Sequence, residues 1–490
     1  MIAARACIRG FGLCLAGVLA LAGCGTGPSD KPVTLSVIGA PADPNRLGGN
    51  QADLTARTMT SAMAQGLVGF DGAGQVEPAL AERWIIIDGG LNYIFRIAQA
   101  NWPDGRAVTS AEVAQILRRN INAGVSNGSA PMLRGVTSVV PMTPMVIELR
   151  LSAPLPGLLK RLAQPDMAII QRGGGTGPYR FHSRRDGVTR LRQIPLPDEA
   201  GELPDIAEQE PFDMRLRGEP VNRAIVRFVN EGTDLVVGGR FQDLPYVSAT
   251  DPGTGRFRID ATRGLFGLRF TNSTGPLGES EVRIALSSAI NRSSLVAAIR
   301  GESWQPAISV LPDQLDSNSR PAALDLLQRN QSDRARLARS KLLGRNIRVR
   351  VSLPPGPGSR LVFASLARDW NNVGVKAILV PRGAPADLVL IDEVAPMDTA
   401  LWYIGRLGCQ QRLPCSAAAE ELLDAAIKAK TAAERGAAIA EADAMLAAAH
   451  YYIPLAVPLR WSLVDPELTG WRDNDSGVHP LIHLRPPARQ

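Results

Sequence analysis

Apolar positions along the chain follow two different periods, and the alternation between them predicts a mixed α/β protein. Segments with a period of two, or with an unbroken run of β-forming residues, predict strands at residues 33–38, 91–98, 146–151, 224–229, 265–272, 346–353, 375–381 and 387–392. Helical patterns lie between these segments. Residues 182–221 have few apolar positions and many charged ones, and we interpret them as a long surface excursion. Strands that alternate with helices over this length indicate more than one α/β domain.

Two helices are predicted to begin at capping boxes, in which a Thr hydroxyl and a Glu carboxylate each bind the other residue's backbone amide. One pair is Thr109 with Glu112, and the other is Thr431 with Glu434. The second helix is rich in alanine and is predicted to run to Ala449. Both helix starts are local signals, because each needs only residues three positions apart.

The first 23 residues have the parts of an export signal. Arg5 and Arg9 supply positive charge, and residues 11–22 are mostly apolar but shorter than the roughly 20 residues of a membrane-spanning helix. The Leu-Ala-Gly-Cys tetrapeptide that ends at Cys24 resembles the lipobox of bacterial lipoproteins, whose cysteine is lipidated and becomes the new N-terminus. We therefore predict a lipid anchor at Cys24 and a polar tether over residues 24–32. The alternative is an ordinary secretory signal with a chance cysteine.

Composition indicates a globular protein with room for two or three lobes. Of 490 residues, 45% are hydrophobic and 21% are charged. The formal net charge of +7 comes from scattered basic residues, which permits attraction to an anionic membrane surface and does not support nucleic-acid binding.

The five cysteines separate by position. Cys7 and Cys14 lie in the export signal, Cys24 is the predicted lipid site, and Cys409 and Cys415 form a close pair. In an oxidising compartment such a pair usually forms a disulfide. A metal site is the alternative, although no histidine lies nearby in the sequence.

No arrangement of residues indicates catalysis. Residues 124–128 spell G-x-S-x-G, but they lack the preceding strand that a nucleophile elbow requires, so we interpret them as a loop. Only four histidines are present, and Pro480 separates His479 from His483, which argues against a helical metal pair. We predict no enzyme activity, no metal site and no cofactor.

Several blocks resemble, in order and spacing, the family 5 extracellular solute-binding proteins, which serve ABC importers for oligopeptides, dipeptides, nickel and related solutes. The blocks extend over most of the mature chain. They are QGLVGFD at 65–71, GQVEPALAERW at 74–84, LNYIFR at 91–96, WPDG at 102–105, TSAEV at 109–113, GTGPY at 175–179, FTN at 270–272, EVRIALSSAINR at 281–292 and IPL at 453–455.

This resemblance implies a two-lobed clamshell of the periplasmic-binding-protein type (class II, cluster C) with an extended first lobe. We place lobe I at residues 33–264 plus 466–490 and lobe II at 265–465, after the signal peptide at 1–23. The resemblance further implies a monomeric, lipid-anchored receptor of an ABC importer on the periplasmic or extracellular face. Its expected partners are ABC permease subunits, the membrane, and a peptide or other small solute.

In the family the ligand cleft is lined by the loop after the first strand, by the start of the second lobe and by a segment after the strand at 387–392. These positions are occupied here by Asn45, Arg46, Asn272, Glu393, Asp398, Trp402 and Tyr403. We expect Trp402 and Tyr403 to form a stacking wall.

One departure from the family concerns the peptide's amino group. Peptide binders of this family commonly carry an aspartate for that group just after the strand at 387–392, where this chain has Val394, Ala395 and Pro396. An alternative function therefore stays open, that of a family member acting as an envelope sensor or assembly partner without transport.

Overall fold

The computed structural model describes residues 32–41, 43–44, 47, 53–171, 174–194, 213–299, 304–313, 315–316, 320–409 and 413–485. Cys24, Asn45 and Arg46 lie outside these ranges, as does the predicted export signal. Within them, two large mixed sheets and a four-stranded antiparallel sheet are combined with helices, which confirms the predicted α/β class.

The strands, in chain order, are β1 (Val33–Ile38), β2 (Val68–Phe70), β3 (Val76–Pro78), β4 (Ala81–Ile87), β5 (Asn92–Ile97), β6 (Val136–Thr143), β7 (Val146–Leu151), β8 (Ile170–Gln171), β9 (Gly174–Gly175), β10 (Tyr179–Arg185), β11 (Val188–Gln193), β12 (Asp213–Glu219), β13 (Leu235–Arg240), β14 (Phe257–Asp260), β15 (Gly264–Phe270), β16 (Arg348–Ser352), β17 (Lys376–Val380), β18 (Leu388–Val394), β19 (Tyr452–Ala456) and β20 (Arg460–Val464).

The α-helices are α1 (Leu54–Met63), α2 (Ser110–Ser126), α3 (Leu158–Leu162), α4 (Val221–Val229), α5 (Leu244–Thr250), α6 (Ser280–Ala289), α7 (Arg292–Ala297), α8 (Asp325–Gln328), α9 (Gln331–Leu342), α10 (Pro357–Asn371), α11 (Ala400–Arg406), α12 (Ala417–Lys428) and α13 (Ala432–Ala449). Both predicted capping boxes are present, at the starts of α2 and α13.

The first large sheet is built around β1, the first strand of the described chain. Its order is β10-β11-β12-β1-β13-β20-β14, with β1 parallel to both β12 and β13. Val33, Leu35 and Val37 are fully buried. A strand with neighbours on both sides buries its apolar side chains against helices, which is why a run of β-formers predicted β1 correctly.

The second large sheet has the order β17-β16-β18-β15-β19. Its strands β16, β17 and β18 are parallel, and β15 is antiparallel to β18 and β19. The chain enters this sheet through residues 261–263, between β14 and β15, and leaves it through residues 457–459, between β19 and β20. The hydroxyl of Thr262 donates to the carbonyl of Pro458 at 2.8 Å, so the two crossings lie side by side.

The antiparallel sheet has the order β4-β5-β7-β6 and lies within the range proposed for lobe I. Its apolar cluster continues into α11 and α12, with Met132 and Leu133 on one side and Leu401, Ile404 and Leu423 on the other. Apolar contact of this kind holds the antiparallel sheet against α11 and α12 in the observed arrangement.

Two sequence interpretations were wrong about secondary structure. Residues 224–229, predicted as a strand, belong to α4, because Ala224, Ile225 and Phe228 are buried at helical spacing while Val226 is exposed. The described parts of 182–221 are not a surface excursion but contribute β10, β11 and β12 to the first sheet. The other predicted strands are confirmed as β1, β5, β7, β15, β16, β17 and β18.

The boundary proposed at residue 465 also changes. Strand β20 falls inside the range assigned to lobe II, yet it pairs with β13 and β14 in the first sheet. We therefore propose that lobe II ends in the crossing at 457–459 and that lobe I resumes with β20.

Candidate functional site

A cavity of about 480 Å³ lies between the two large sheets. Its volume falls within the range of roughly 300–1,000 Å³ typical of small-molecule sites. One wall comes from α1, β13 and the segment after α3, and the facing wall comes from the end of β18 and from α11. Residues 476–479 of the tail complete the lining. A solute in the cavity would touch residues of both proposed lobes.

Helix α11 places an aromatic ring and a guanidinium on the cavity, those of Trp402 and Arg406. Thr399 caps the helix by accepting from the amide of Leu401, and Asp316 accepts from the amide of Ala400 at 2.7 Å. The helix start is therefore fixed by side chains from two parts of the chain.

The end of α11 is held by a buried arginine. Arg269 is 1% exposed and donates to the carbonyls of Arg406 at 2.8 Å, Leu407 at 3.3 Å and Gly408 at 3.0 Å. These carbonyls belong to the last turn of the helix or follow it, where no helical amide reaches them. Burial lowers the pKa of Arg269 to about 10, because a positive charge is disfavoured away from water.

A disulfide joins Cys409 and Cys415 directly after this turn. The amide of Cys409 donates to the carboxylate of Glu420 at 3.0 Å, which ties the bridged loop to α12. The predicted bridge thus lies beside the helix that carries Trp402.

Three of the cavity's arginines each bind a carboxylate at hydrogen-bonding distance. Arg161 donates twice to Asp166, with both bonds at 2.7 Å. Arg406 donates to Glu393 at 2.6 and 2.5 Å. The third pair joins the two large sheets, because Arg460 of β20 donates to the carboxylate of Asp392 in β18 at 2.7 Å.

A fourth carboxylate in the cavity lining, that of Asp260, lies against the tail. It accepts from the amide of Asn474 at 3.2 Å, and the His479 ring nitrogen lies 2.9 Å from it. The ring of His479 stacks on Trp471, with 3.7 Å between the ring centroids. This carboxylate therefore already has two polar neighbours from the tail.

Two further arginines in the lining have no such partner among the described residues. The guanidinium of Arg57 has no hydrogen bond or ion pair there, and Arg240 only approaches the carboxylate of Asp392 at 4.0 Å.

Arg240 follows Gly239, whose lack of a side chain lets the indole of Trp461 pack on the backbone. A Cβ at Gly239 would lie 2.0 Å from that ring.

The predicted ligand contacts divide into three groups. Glu393 and Trp402 line the cavity. Asn272, Asp398 and Tyr403 do not belong to its lining. Asn45 and Arg46 lie outside the described residues, so their contact with a ligand stays a prediction.

Each of the three residues outside the lining has a structural role. Asn272 donates to Asp387 at 2.6 Å, and Asp398 accepts from Lys160 at 2.6 Å. Tyr403 is 1% exposed, and its ring meets Trp402 edge to face. Their contact with a ligand stays a prediction, and Trp402 is the member of the predicted stacking wall that lines the cavity.

Sequence reasoning missed the cavity arginines, although α1 carried a signal. Arg57 is the only charged residue in the ten residues of α1. An isolated charge on a helix that otherwise has small and apolar residues suggests a specific environment, but only the fold shows that this environment is a cavity. Arg240 ends an apolar strand and gave no comparable signal.

The two neighbouring crossings and the cavity between the large sheets have the geometry of a site that encloses a small solute. Residues 75–193 match the sequence model of the bacterial extracellular solute-binding proteins, family 5 middle region. This match confirms, within that segment, the resemblance seen in the sequence.

Solved structures resemble the fold of nearly the whole chain. Haemophilus influenzae OppA in complex with RPPGFSPFR has a TM-score of 0.78 and 14% identity, covering 93% of this chain and 99% of that one. The Escherichia coli murein tripeptide binding protein MppA has a TM-score of 0.78 and 16% identity, covering 94% and 100%. At these identities the likeness establishes the two-lobed fold and confirms the predicted fold class.

A relative matched by sequence is the probable deoxycholate-binding periplasmic protein YgiS of Escherichia coli strain K12. It is 29% identical over 143 residues, which span 26% of this chain and 26% of that protein.

Among the described residues, no helix combines the length and the apolar character needed to span a membrane. The same residues contain no group of three or more His, Cys, Asp or Glu side chains placed to hold a metal ion.

Proposed function

We propose that this protein is a lipid-anchored, extracytoplasmic solute-binding receptor of an ABC importer that captures a peptide or peptide-like solute between its lobes. The observation that carries the proposal is the cavity of about 480 Å³ with a lining from both lobes. Arg57 and Ser462 belong to the proposed lobe I, and Glu393 and Trp402 belong to the proposed lobe II.

Contact with both lobes couples solute binding to closure of the lobes. A ligand that touches both walls stabilises the closed arrangement by its differential affinity for the closed and open states. The crossings at 261–263 and 457–459 are the hinge of such a movement. Permease subunits in the membrane could then distinguish a loaded receptor from an empty one.

The similar proteins support a small organic solute. Of the two structures above, Haemophilus influenzae OppA holds the nonapeptide RPPGFSPFR, and MppA is named as a murein tripeptide binding protein. The relative matched by sequence is named for deoxycholate. A peptide is the leading solute, and a bile-acid-like compound is the first alternative to include in any screen.

Thermal shift of the purified protein tests this function. A ligand that binds only the folded state adds about 2.7 kcal/mol of stability at a hundredfold excess over its Kd. We expect the melting temperature to rise with at least one member of a panel of short peptides, deoxycholate, nickel chelates and oligosaccharides. Flat melting curves across the panel, together with no permease or ATPase gene beside this one, would contradict import and favour the sensor alternative.

The lipid anchor has its own test in Cys24→Ser. The substitution removes the thiol to which a diacylglyceryl group would be attached, so the protein should lose its partition into the detergent phase of Triton X-114. Cys14→Ser, in the apolar part of the signal, is the matched control and should partition like the unaltered protein. Equal partition of both variants would overturn the assignment of the anchor to Cys24.

A further inference from the structure

The cavity contains a cation that the described protein does not neutralise. The side chain of Arg57 lines the cavity and is exposed to its solvent. Burial lowers the pKa of Arg57, Asp166 acts in the opposite direction, and Arg161 and Arg460 add to the lowering. Asp166 is already bound by both nitrogens of Arg161. Arg57 therefore carries a charge for which the empty cavity supplies no partner among the described residues.

A second cation in the same cavity is only partly compensated. Arg240 lies 4.0 Å from Asp392, too far for a hydrogen bond, while Arg460 binds the other oxygen of that carboxylate at 2.7 Å. Burial lowers the pKa of Arg240, and the nearby charges of Arg460 and Arg57 lower it further, against the opposing effects of Asp392 and Asp243. Arg57 and Arg240 thus repel one another across a solvent-filled space.

We propose that the solute carries a carboxylate, and that Arg57 and Arg240 bind it, so that the cavity recognises the acidic end of the solute rather than an amino group. This inference rests on the proposed function and names the chemistry of its ligand. A guanidinium presents several N–H groups in one plane and binds a carboxylate through two parallel hydrogen bonds. An anion between the two arginines would also remove their mutual repulsion.

The acidic residues of the cavity argue against an amine as the main recognised group. Asp166, Glu393 and Asp392 each accept from an arginine, and Asp260 accepts from the tail. Asp392 keeps one buried oxygen without a hydrogen bond. An ammonium placed there would add a positive charge beside Arg240 and Arg460, where two positive charges already meet one carboxylate.

Two kinds of solute supply a carboxylate, namely the C-terminus of a peptide and the acid group of a bile-acid-like compound. The test uses an equimolar random tripeptide library in three forms, with free ends, with an amidated C-terminus and with an acetylated N-terminus. A second arm compares deoxycholate with its methyl ester. Retention by the purified mature protein is measured by native mass spectrometry.

If the solute is a peptide, we expect the free and the acetylated peptides to be retained and the amidated peptides to be retained at least about tenfold less. If it is a bile-acid-like compound, we expect the same difference between deoxycholate and its methyl ester. Such a loss corresponds to one charge-assisted hydrogen bond. Arg57→Gln and Arg240→Gln should each reduce retention by a similar factor, and Arg57→Lys should recover part of it. Arg185→Gln, at a turn where the side chain is 93% exposed, is the control and should retain the same compounds as the unaltered protein.

The outcomes separate this inference from the proposed function. Amidated peptides retained as well as free ones, with acetylated peptides lost, would overturn carboxylate recognition and leave peptide capture standing. No retention in either arm would overturn both.

A second measurement needs no ligand. Because Arg57 lies close to the positive charges of Arg161 and Arg460 and has no ion pair among the described residues, Arg57→Gln should raise the melting temperature of the empty protein, whereas Arg185→Gln should not change it. A lower melting temperature for Arg57→Gln would show that Arg57 serves the fold, which contradicts the inference.

Discussion

Replacing Arg269 with methionine is expected to lower the free energy of unfolding by about 3 kcal/mol, the upper part of the range for lost hydrogen bonds to a charged group. The side chain is 1% exposed and is the shared donor to the carbonyls of Arg406, Leu407 and Gly408. Methionine fills much of the same volume, but it cannot donate a hydrogen bond. The carbonyls at the end of α11 would then be buried without this donor, which is the costly part of the change.

The same substitution should weaken solute binding, since α11 carries Trp402 and Arg406 into the cavity. Urea unfolding measures the stability change through the transition midpoint. Arg348→Met, at an exposed position of β16, is the matched control and should change stability by less than about 0.5 kcal/mol. An unchanged midpoint for Arg269→Met would mean that this arginine does not support the helix end.

Asp392→Asn is expected to have the second largest effect, a loss of about 3 kcal/mol, at the lower end of the range for breaking a buried ion pair by removing one partner. The side chains of Asp392 and Arg460 are 8% and 14% exposed, and their pair connects β18 with β20 next to the crossings. Without the carboxylate, Arg460 would lose its ion pair while still lying near the positive charges of Arg57 and Arg240. Water in the cavity keeps the cost from being larger.

Asp392→Asn also separates an effect on stability from an effect on solute binding. Because it adds net positive charge to the cavity, Asp392→Asn should lose stability while keeping or increasing its affinity for carboxylate solutes, unlike Arg269→Met. Combining it with Arg460→Gln should cost less than the sum of the two single changes, since the two side chains interact directly. Additive losses measured by urea unfolding would show that the pair is not coupled.

How far the sequence predicts the fold depends on how local each signal is. The capping boxes at Thr109 and Thr431 were predicted correctly because each involves residues of one turn. The charge-rich strand β12 was missed although its buried Met214 and Leu216 alternate with arginines, a period of two that the high charge concealed. In α4, β-branched residues favoured a strand, while burial against α5 and β13 decided for a helix.

In the candidate site, too, residues close together in the sequence could be predicted and residues far apart could not. Glu393 and Trp402 could be placed near the ligand because they follow β18 closely in the sequence. Tyr403, the next residue along α11, turns into the core instead, because neighbouring residues of a helix point about 100° apart. Arg57, Arg240 and Arg460 are far apart in the sequence and meet only through the pairing of β13 with β20 and the packing of α1 on that sheet.

The sequence by itself predicted the pairing of Cys409 with Cys415, most of the strands and the resemblance to a family of two-lobed receptors, and its export signal stays a prediction. All of these follow from local composition or from the order of short motifs. Only the tertiary structure decided which charges share the cavity and which carboxylates already have partners. The physical reason is that an ion pair depends on distances of a few ångströms between segments hundreds of residues apart, and no local pattern encodes such a distance.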